Sequence, residues 1–142
     1  MNIFIDTWGW LVLGDSREKY HGKIREWYSS FRQKGGNLYT SDYVLDETYT
    51  LLFRRVHYDL AISSLDSIQK SIDEKFLNLE WINPSRFEKA KKLRYKFSDK
   101  PYISFTDLTS IVVMKELDII DVLTEDNHFL QVGMGFRKVP EN

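Results

Sequence analysis

Four acids stand where apolar residues would be expected, and together they suggest carboxylate chemistry around a metal ion. Asp6 ends the apolar run Asn2-Ile3-Phe4-Ile5. Glu47 falls three residues after Val44 and four before Leu51, so it shares a helical face with both. Asp107 repeats this placement among Ile103, Ile111 and Met114, and Asp126 lies just beyond the run Ile119 to Leu123. Charged residues normally occupy solvent faces, and an uncompensated buried carboxylate costs several kcal/mol. Four that converge repel one another. A divalent cation with oxygen ligands removes that repulsion. Each acid alone also has an ordinary explanation. Asp6 can cap the next helix, Glu47 can reach water from the edge of its stripe, Asp107 can sit in a first turn favoured by the helix dipole, and Asp126 can be a turn residue.

The elements that must position these acids alternate between strand and helix. Strands are predicted at Asn2 to Asp6, Asn37 to Thr40, Leu77 to Ile82, Ile119 to Leu123 and Phe136 to Val139. A helical stretch follows Asp6 through Leu13, and an amphipathic helix is predicted from Arg17 to Gln33. Ser41-Asp42 caps a helix carrying Glu47, a further helix runs from about Tyr58 to Glu74, and Pro84 opens another at a tolerated first-turn position. Ser104 or Thr106 caps the helix that carries Asp107, and a turn with a short helix is predicted over Glu125 to Leu130. Such alternation predicts an α/β fold with a mostly parallel sheet covered on both faces. In an open sheet of this kind ligands bind at the carboxyl ends of strands, where Asp6 and Asp126 should lie.

Composition narrows the chemistry. A chain of 142 residues without linker, repeat or low-complexity tract predicts one domain, residues 1–142. With no cysteine, disulfides, thiolate metal sites and cysteine nucleophiles are excluded. Three histidines without zinc-type spacing leave carboxylates as the main ligands, which favours magnesium or manganese. The apolar N-terminus is interrupted by Asp6 and lacks a basic leader, so neither a signal peptide nor a membrane span is expected and the cytoplasm is the expected location. A net charge of −1 argues against coating nucleic acid by bulk electrostatics, and leaves room for an enzyme with local positive charge. Aromatic residues make up 15% of the chain; most are expected in the core, and some can line a groove.

The ordered segments resemble the PIN-domain family, and more closely its VapC-like toxins from bacterial and archaeal toxin–antitoxin pairs. The matching motifs are Ile3-Phe4-Ile5-Asp6-Thr7, Ser41-Asp42-Tyr43-Val44-Leu45-Asp46-Glu47, Ser104-Phe105-Thr106-Asp107-Leu108-Thr109-Ser110 and Thr124-Glu125-Asp126-Asn127-His128-Phe129, the last followed by Gly133 and Phe136. The resemblance implies a three-layer α/β/α fold and an RNA-cutting activity that leaves a 5′-phosphate and a 3′-hydroxyl. It implies one or two magnesium or manganese ions held by Asp6, Glu47, Asp107 and Asp126, with Thr124 as a supporting hydroxyl. Asp6 and Asp107 would be direct ligands; Glu47 and Asp126 would ligate directly or through water. It also implies a homodimer inhibited by a small antitoxin. Asp99 falls where some relatives keep a further acid, and is equally explained as an exposed loop acid.

Basic residues offer substrate contacts, among them Arg54, Arg55 and Lys92. Lys92 belongs to a run with Arg86, Lys89, Lys91, Arg94 and Lys96, which reads either as a solvated helix face or as a phosphate-binding patch. His57 and His128 are expected to be structural or peripheral rather than ligands, since four carboxylates already supply a site. Trp8, Trp10 and Leu11 either pack in the core or line a groove into which an antitoxin inserts. Rival readings lack their residues. A haloacid-dehalogenase-like phosphatase needs a second Asp where Trp8 stands, a receiver domain needs a mid-chain acceptor Asp with a downstream lysine, and Gly133-Met134-Gly135 is too little for a dinucleotide site. An RNA-processing nuclease without an antitoxin, and a non-catalytic binding module, keep the fold and stay open.

Overall fold

The apolar run before Asp6 becomes the central strand, β1 (Asn2–Ile5), in a computed structural model that describes residues 1–141. Ile3, Phe4 and Ile5 are essentially inaccessible to water, as expected of a strand covered on both faces. The remaining strands are β2 (Asn37–Ser41), β3 (Leu77–Glu80), β4 (Asp121–Leu123) and β5 (Arg137–Val139). Their spatial order is β3-β2-β1-β4-β5, and every pairing is parallel. The sheet is thus wholly rather than mostly parallel, and helices cover it in a three-layer α/β/α arrangement.

Seven helices occur among the described residues: α1 (Thr7–Gly14), α2 (His21–Gln33), α3 (Asp42–Arg55), α4 (Tyr58–Asp73), α5 (Pro84–Lys96), α6 (Phe105–Glu116) and α7 (His128–Gln131). Helix α1 is apolar nearly all round and buries Trp10, Leu11 and Val12, the mark of a helix held inside the protein. Its Gly9 lies so close to the sheet that a Cβ there would meet Leu123 Cδ2 at 2.8 Å and Ile5 Cγ2 at 3.0 Å. Ser41 caps α3 by accepting from the Val44 N–H at 3.1 Å, and Asn83 caps α5 by accepting from the Arg86 N–H at 2.9 Å. None of the helices is long and apolar enough to cross a membrane.

The boundaries differ from the sequence expectation where side chains recruit the backbone. Arg17 to Tyr20 form a turn ahead of α2, because Asp15 accepts from both the backbone N–H and the guanidinium of Arg17 at 3.0 Å. Strand β4 starts at Asp121, two residues late, after a left-handed turn at Asp118 (φ 54°). Glu125 to Asn127 form the turn expected ahead of α7, with the Asp126 Oδ1 accepting from the His128 N–H at 2.9 Å. Strand β3 ends at Glu80, and the Asp42 carboxylate takes the Ile82 N–H at 2.8 Å.

Candidate active site

Chain order reverses across the sheet between β1 and β4, which opens a crevice at the carboxyl ends of those two strands. The parallel register pairs Ile5 with Leu123, so the next residues, Asp6 and Thr124, emerge side by side. Thr124 Oγ1 donates to Asp6 Oδ2 at 3.0 Å, and the same oxygen accepts the Asp126 N–H at 3.1 Å. Asp6 occupies the N-cap position of α1, but its side chain makes no capping bond there. The simple capping explanation therefore fails for Asp6: its carboxylate is committed to Thr124. Burial, followed by the neighbouring Asp107 and more weakly Glu47, pushes its pKa from 3.8 up to about 7.

Asp107 reaches the crevice from the start of α6. Ser104 Oγ accepts from the Asp107 N–H at 3.0 Å, and Asp107 Oδ2 accepts from the Ser104 N–H at 3.3 Å, a reciprocal capping box. Oδ2 also meets His128 Nδ1 at 3.0 Å. Asp107 is buried, and that burial raises its pKa against the pull of the His128 hydrogen bond. His128 Nδ1 lies 2.8 Å from Asp126 Oδ2 as well. A proton on Nδ1 serves both carboxylates at once, and the imidazole is the group that stands between Asp107 and Asp126.

One open cleft of about 530 Å³ takes in Asp6, Glu47, Asp107 and Asp126, together with Glu125 and His128. Only Asp6 and Asp107 of the four acids are buried. Asp126 is half-buried and Glu47 is exposed on the outer edge of its stripe, which corrects the expectation of four acids in core positions. Partial burial still lifts the Glu47 carboxyl, with Asp107 adding to the rise. The buried Thr7 hydroxyl works against that rise without closing a hydrogen bond of full geometry, and is left without a partner.

Of the two alternatives for His128, structural or peripheral, the peripheral one fails: the ring sits inside the acid cluster. Ligand atoms of Asp107, Asp126 and His128 all lie within 4.8 Å of one another. The sequence signal was the spacing Asp126-x-His128, in which the acid's own Asx-type bond to the His128 N–H brings the ring beside its second oxygen. Ser104, read only as a helix cap, also supports the site by holding Asp107. Trp8 and Leu11 line the cleft, whereas Trp10 is buried and donates from Nε1 to Thr40 Oγ1 at 3.1 Å. His57 stays peripheral, capping α4.

The basic candidates divide. Arg55 lines the cleft; Arg54 and Lys92 are exposed elsewhere and do not. Arg86 is occupied by Glu80 and Glu116, at 3.0 and 2.9 Å, and Lys89 also pairs with Glu116 at 2.9 Å. The run on α5 is therefore largely a scaffold for α6 and β3. Asp99 is exposed, pairs with Lys100 at 2.9 Å and does not line the cleft.

A match to the PIN domain family model spans residues 3–134. The chain belongs to the PIN domain family. Among curated PIN-domain relatives, the 23S rRNA-specific endonuclease VapC20 of Mycobacterium tuberculosis is 29% identical over 131 residues, covering 92% of this chain and 94% of the relative. The crystal structure of that VapC20, a sarcin–ricin loop cleaving toxin, superposes with a TM-score of 0.82 over 98% of this chain and 99% of that one. VapBC2 from Rickettsia felis, crystallised with a DNA fragment from its promoter, shares the fold at a TM-score of 0.69 and 15% identity, with 97% of each chain covered.

The donor set fits a hard divalent cation. It is made of carboxylate oxygens with one imidazole at its edge, and burial together with the neighbouring Asp107 lifts the Asp6 carboxyl to about 7.

Proposed function

We propose that this chain is a metal-dependent endoribonuclease of the toxin type, working as one nuclease unit over residues 1–142. The observation that carries this reading is the convergence of Asp6, Glu47, Asp107 and Asp126 in one cleft at the point where strand order reverses. The 23S rRNA-specific activity of the VapC20 relative supports RNA as the substrate.

Asp6 and Asp107 would hold magnesium or manganese directly, and Glu47 and Asp126 would ligate directly or through water. An ion held by these residues would lower the pKa of a bound water and offset charge on the phosphate. Thr124 keeps the Asp6 carboxylate aimed and fixes the start of the Asp126 loop. Glu47 or Asp126 orients the attacking water and receives its proton. Arg55, on the cleft wall, contacts a substrate phosphate. Water adds to phosphorus in line with the departing 3′-oxygen, so the P–O3′ bond breaks and the products carry a 5′-phosphate and a 3′-hydroxyl.

The toxin reading brings a small antitoxin and a homodimer as partners, with Trp8 and Leu11 available on the cleft wall for an inserted antitoxin segment. The test is incubation of purified protein with structured RNAs, ribosomal RNA included, in magnesium, manganese or EDTA, with mapping of the new ends. Discrete metal-dependent cuts with 5′-phosphates are expected. Cuts that persist in EDTA, or ends bearing 2′,3′-cyclic phosphate, contradict the mechanism.

A further inference from the structure

Tyr102 is 87% exposed, yet it lines the same cleft as the four acids. A single exposed aromatic on a protein surface is ordinary; the support beneath this one is not. The loop between α5 and α6 is gathered onto one guanidinium. Arg94 donates to the carbonyls of Phe97 at 2.9 Å and Lys100 at 2.8 Å, and also to that of Ile103. Within the loop the Lys100 N–H bonds Phe97 O at 2.9 Å and the Ile103 N–H bonds Lys100 O at 3.2 Å. Phe97 and Ile103 are buried, which anchors the loop at both ends, and Pro101 fixes the backbone just before the tyrosine. The ring therefore projects from a braced turn, a surface that loses little freedom when something is laid on it.

Charge decides what that something is. Five carboxylates, from Asp6, Glu47, Asp107, Glu125 and Asp126, face Arg55 and His128 in the cleft. A polyanion entering this mouth gains little from the protein's own charge, and the whole chain is at −1. Stacking on an aromatic face does not depend on charge and tolerates any base, but it requires a base free of its helix.

We propose that Tyr102 is a stacking platform for an unpaired nucleobase next to the scissile phosphate, an inference that rests on the ribonuclease reading. It selects RNA whose cut site lies in a loop or bulge over a continuous duplex.

The test compares wild type with Tyr102→Phe, Tyr102→Leu and Tyr102→Ala, each first checked for unchanged thermal unfolding. The probes are hairpin RNAs carrying 2-aminopurine at successive loop positions. Expected in Tyr102→Ala and Tyr102→Leu is a rise in KM of roughly 10- to 100-fold with kcat nearly constant, while Tyr102→Phe stays close to wild type. Wild type and Tyr102→Phe should quench 2-aminopurine at one loop position, and the other two variants should not. Unchanged KM and quenching in Tyr102→Ala overturn the proposal, as does a Tyr102→Leu variant that behaves like Tyr102→Phe. Unchanged RNA kinetics with lost inhibition by a partner protein would reassign the ring to that partner. A wild-type protein that quenches the probe but cuts no RNA overturns the nuclease reading instead, so the two failures are distinguishable.

Discussion

Thr124 and Asp6 lie 118 positions apart in the chain and share a hydrogen bond of 3.0 Å across adjacent strands. That bond follows from the register that pairs Ile5 with Leu123. The same threonine oxygen accepts from Asp126, so one hydroxyl ties together acids supplied by two strands. Thr124→Val keeps the shape and removes both bonds. Cleavage should fall about 10- to 100-fold, as for other groups that orient a metal ligand. Stability should change by only about 1–2 kcal/mol. Thr124→Ser should recover most of the activity. A valine variant as active as wild type would show that the hydroxyl positions nothing.

Asp6 makes metal-free stability depend on pH in a defined direction. Its folded pKa, about 7, lies above its ordinary 3.8. The stabilisation is therefore fully present below 3.8 and is lost as pH rises through 7. Asp107 and Glu47, also raised, act with the same sign. Asp15, held down by its hydrogen bonds from Arg17, acts oppositely, but only where the pH falls below the ordinary carboxylate range. Between pH 5 and pH 8 the metal-free protein should lose stability, with Asp6 contributing up to about 3 kcal/mol. Denaturant melts across that range in EDTA measure it. Asp6→Asn should flatten the profile, and manganese should raise Tm more at pH 8 than at pH 6.

His128 bridges Asp107 and Asp126 through one nitrogen, at 3.0 and 2.8 Å. His128→Ala leaves the two carboxylates opposed, and should destabilise the metal-free protein by about 1–3 kcal/mol. Added manganese should then raise Tm more than it does in wild type, because it takes the place of the lost donor between the two carboxylates. A smaller rise than in wild type would make the imidazole a ligand instead of a bridge.

Gly9 sets how closely α1 approaches the strands that carry Asp6 and Thr124. Gly9→Ala forces a methyl group toward Leu123 and Ile5, both fully buried. Overpacking of this kind should cost about 1–3 kcal/mol. It should also lower cleavage, because α1 begins directly after Asp6. A stable and fully active alanine variant would mean that the sheet gives way without moving the acids.

The sequence made the strands and the four acids legible because burial writes strong local patterns. The run from Ile3 to Ile5 can only be an inner strand, and the capping signals at Ser41 and Asn83 are short-range. It misplaced the start of α2, where Asp15 turns its carboxylate onto the Arg17 N–H and delays the helix. The proximity of His128 to the acids was missed for a different, non-local reason. Its contact with Asp107 spans 21 positions and depends on how α6 and α7 dock, which no local spacing records. The basic run on α5 was ambiguous because periodicity cannot tell a free lysine from one paired to Glu116 on another helix. Arg94 turned inward to three carbonyls, a role invisible in composition.

The most direct test measures manganese binding and RNA cleavage side by side in wild type, Asp6→Asn and Asp107→Asn. A carboxylate-held ion predicts that both variants lose binding and cleavage together while staying folded, and that EDTA silences the wild type. Cleavage that survives either substitution, or survives EDTA, would contradict the assignment of this cleft as a metal-dependent nuclease site.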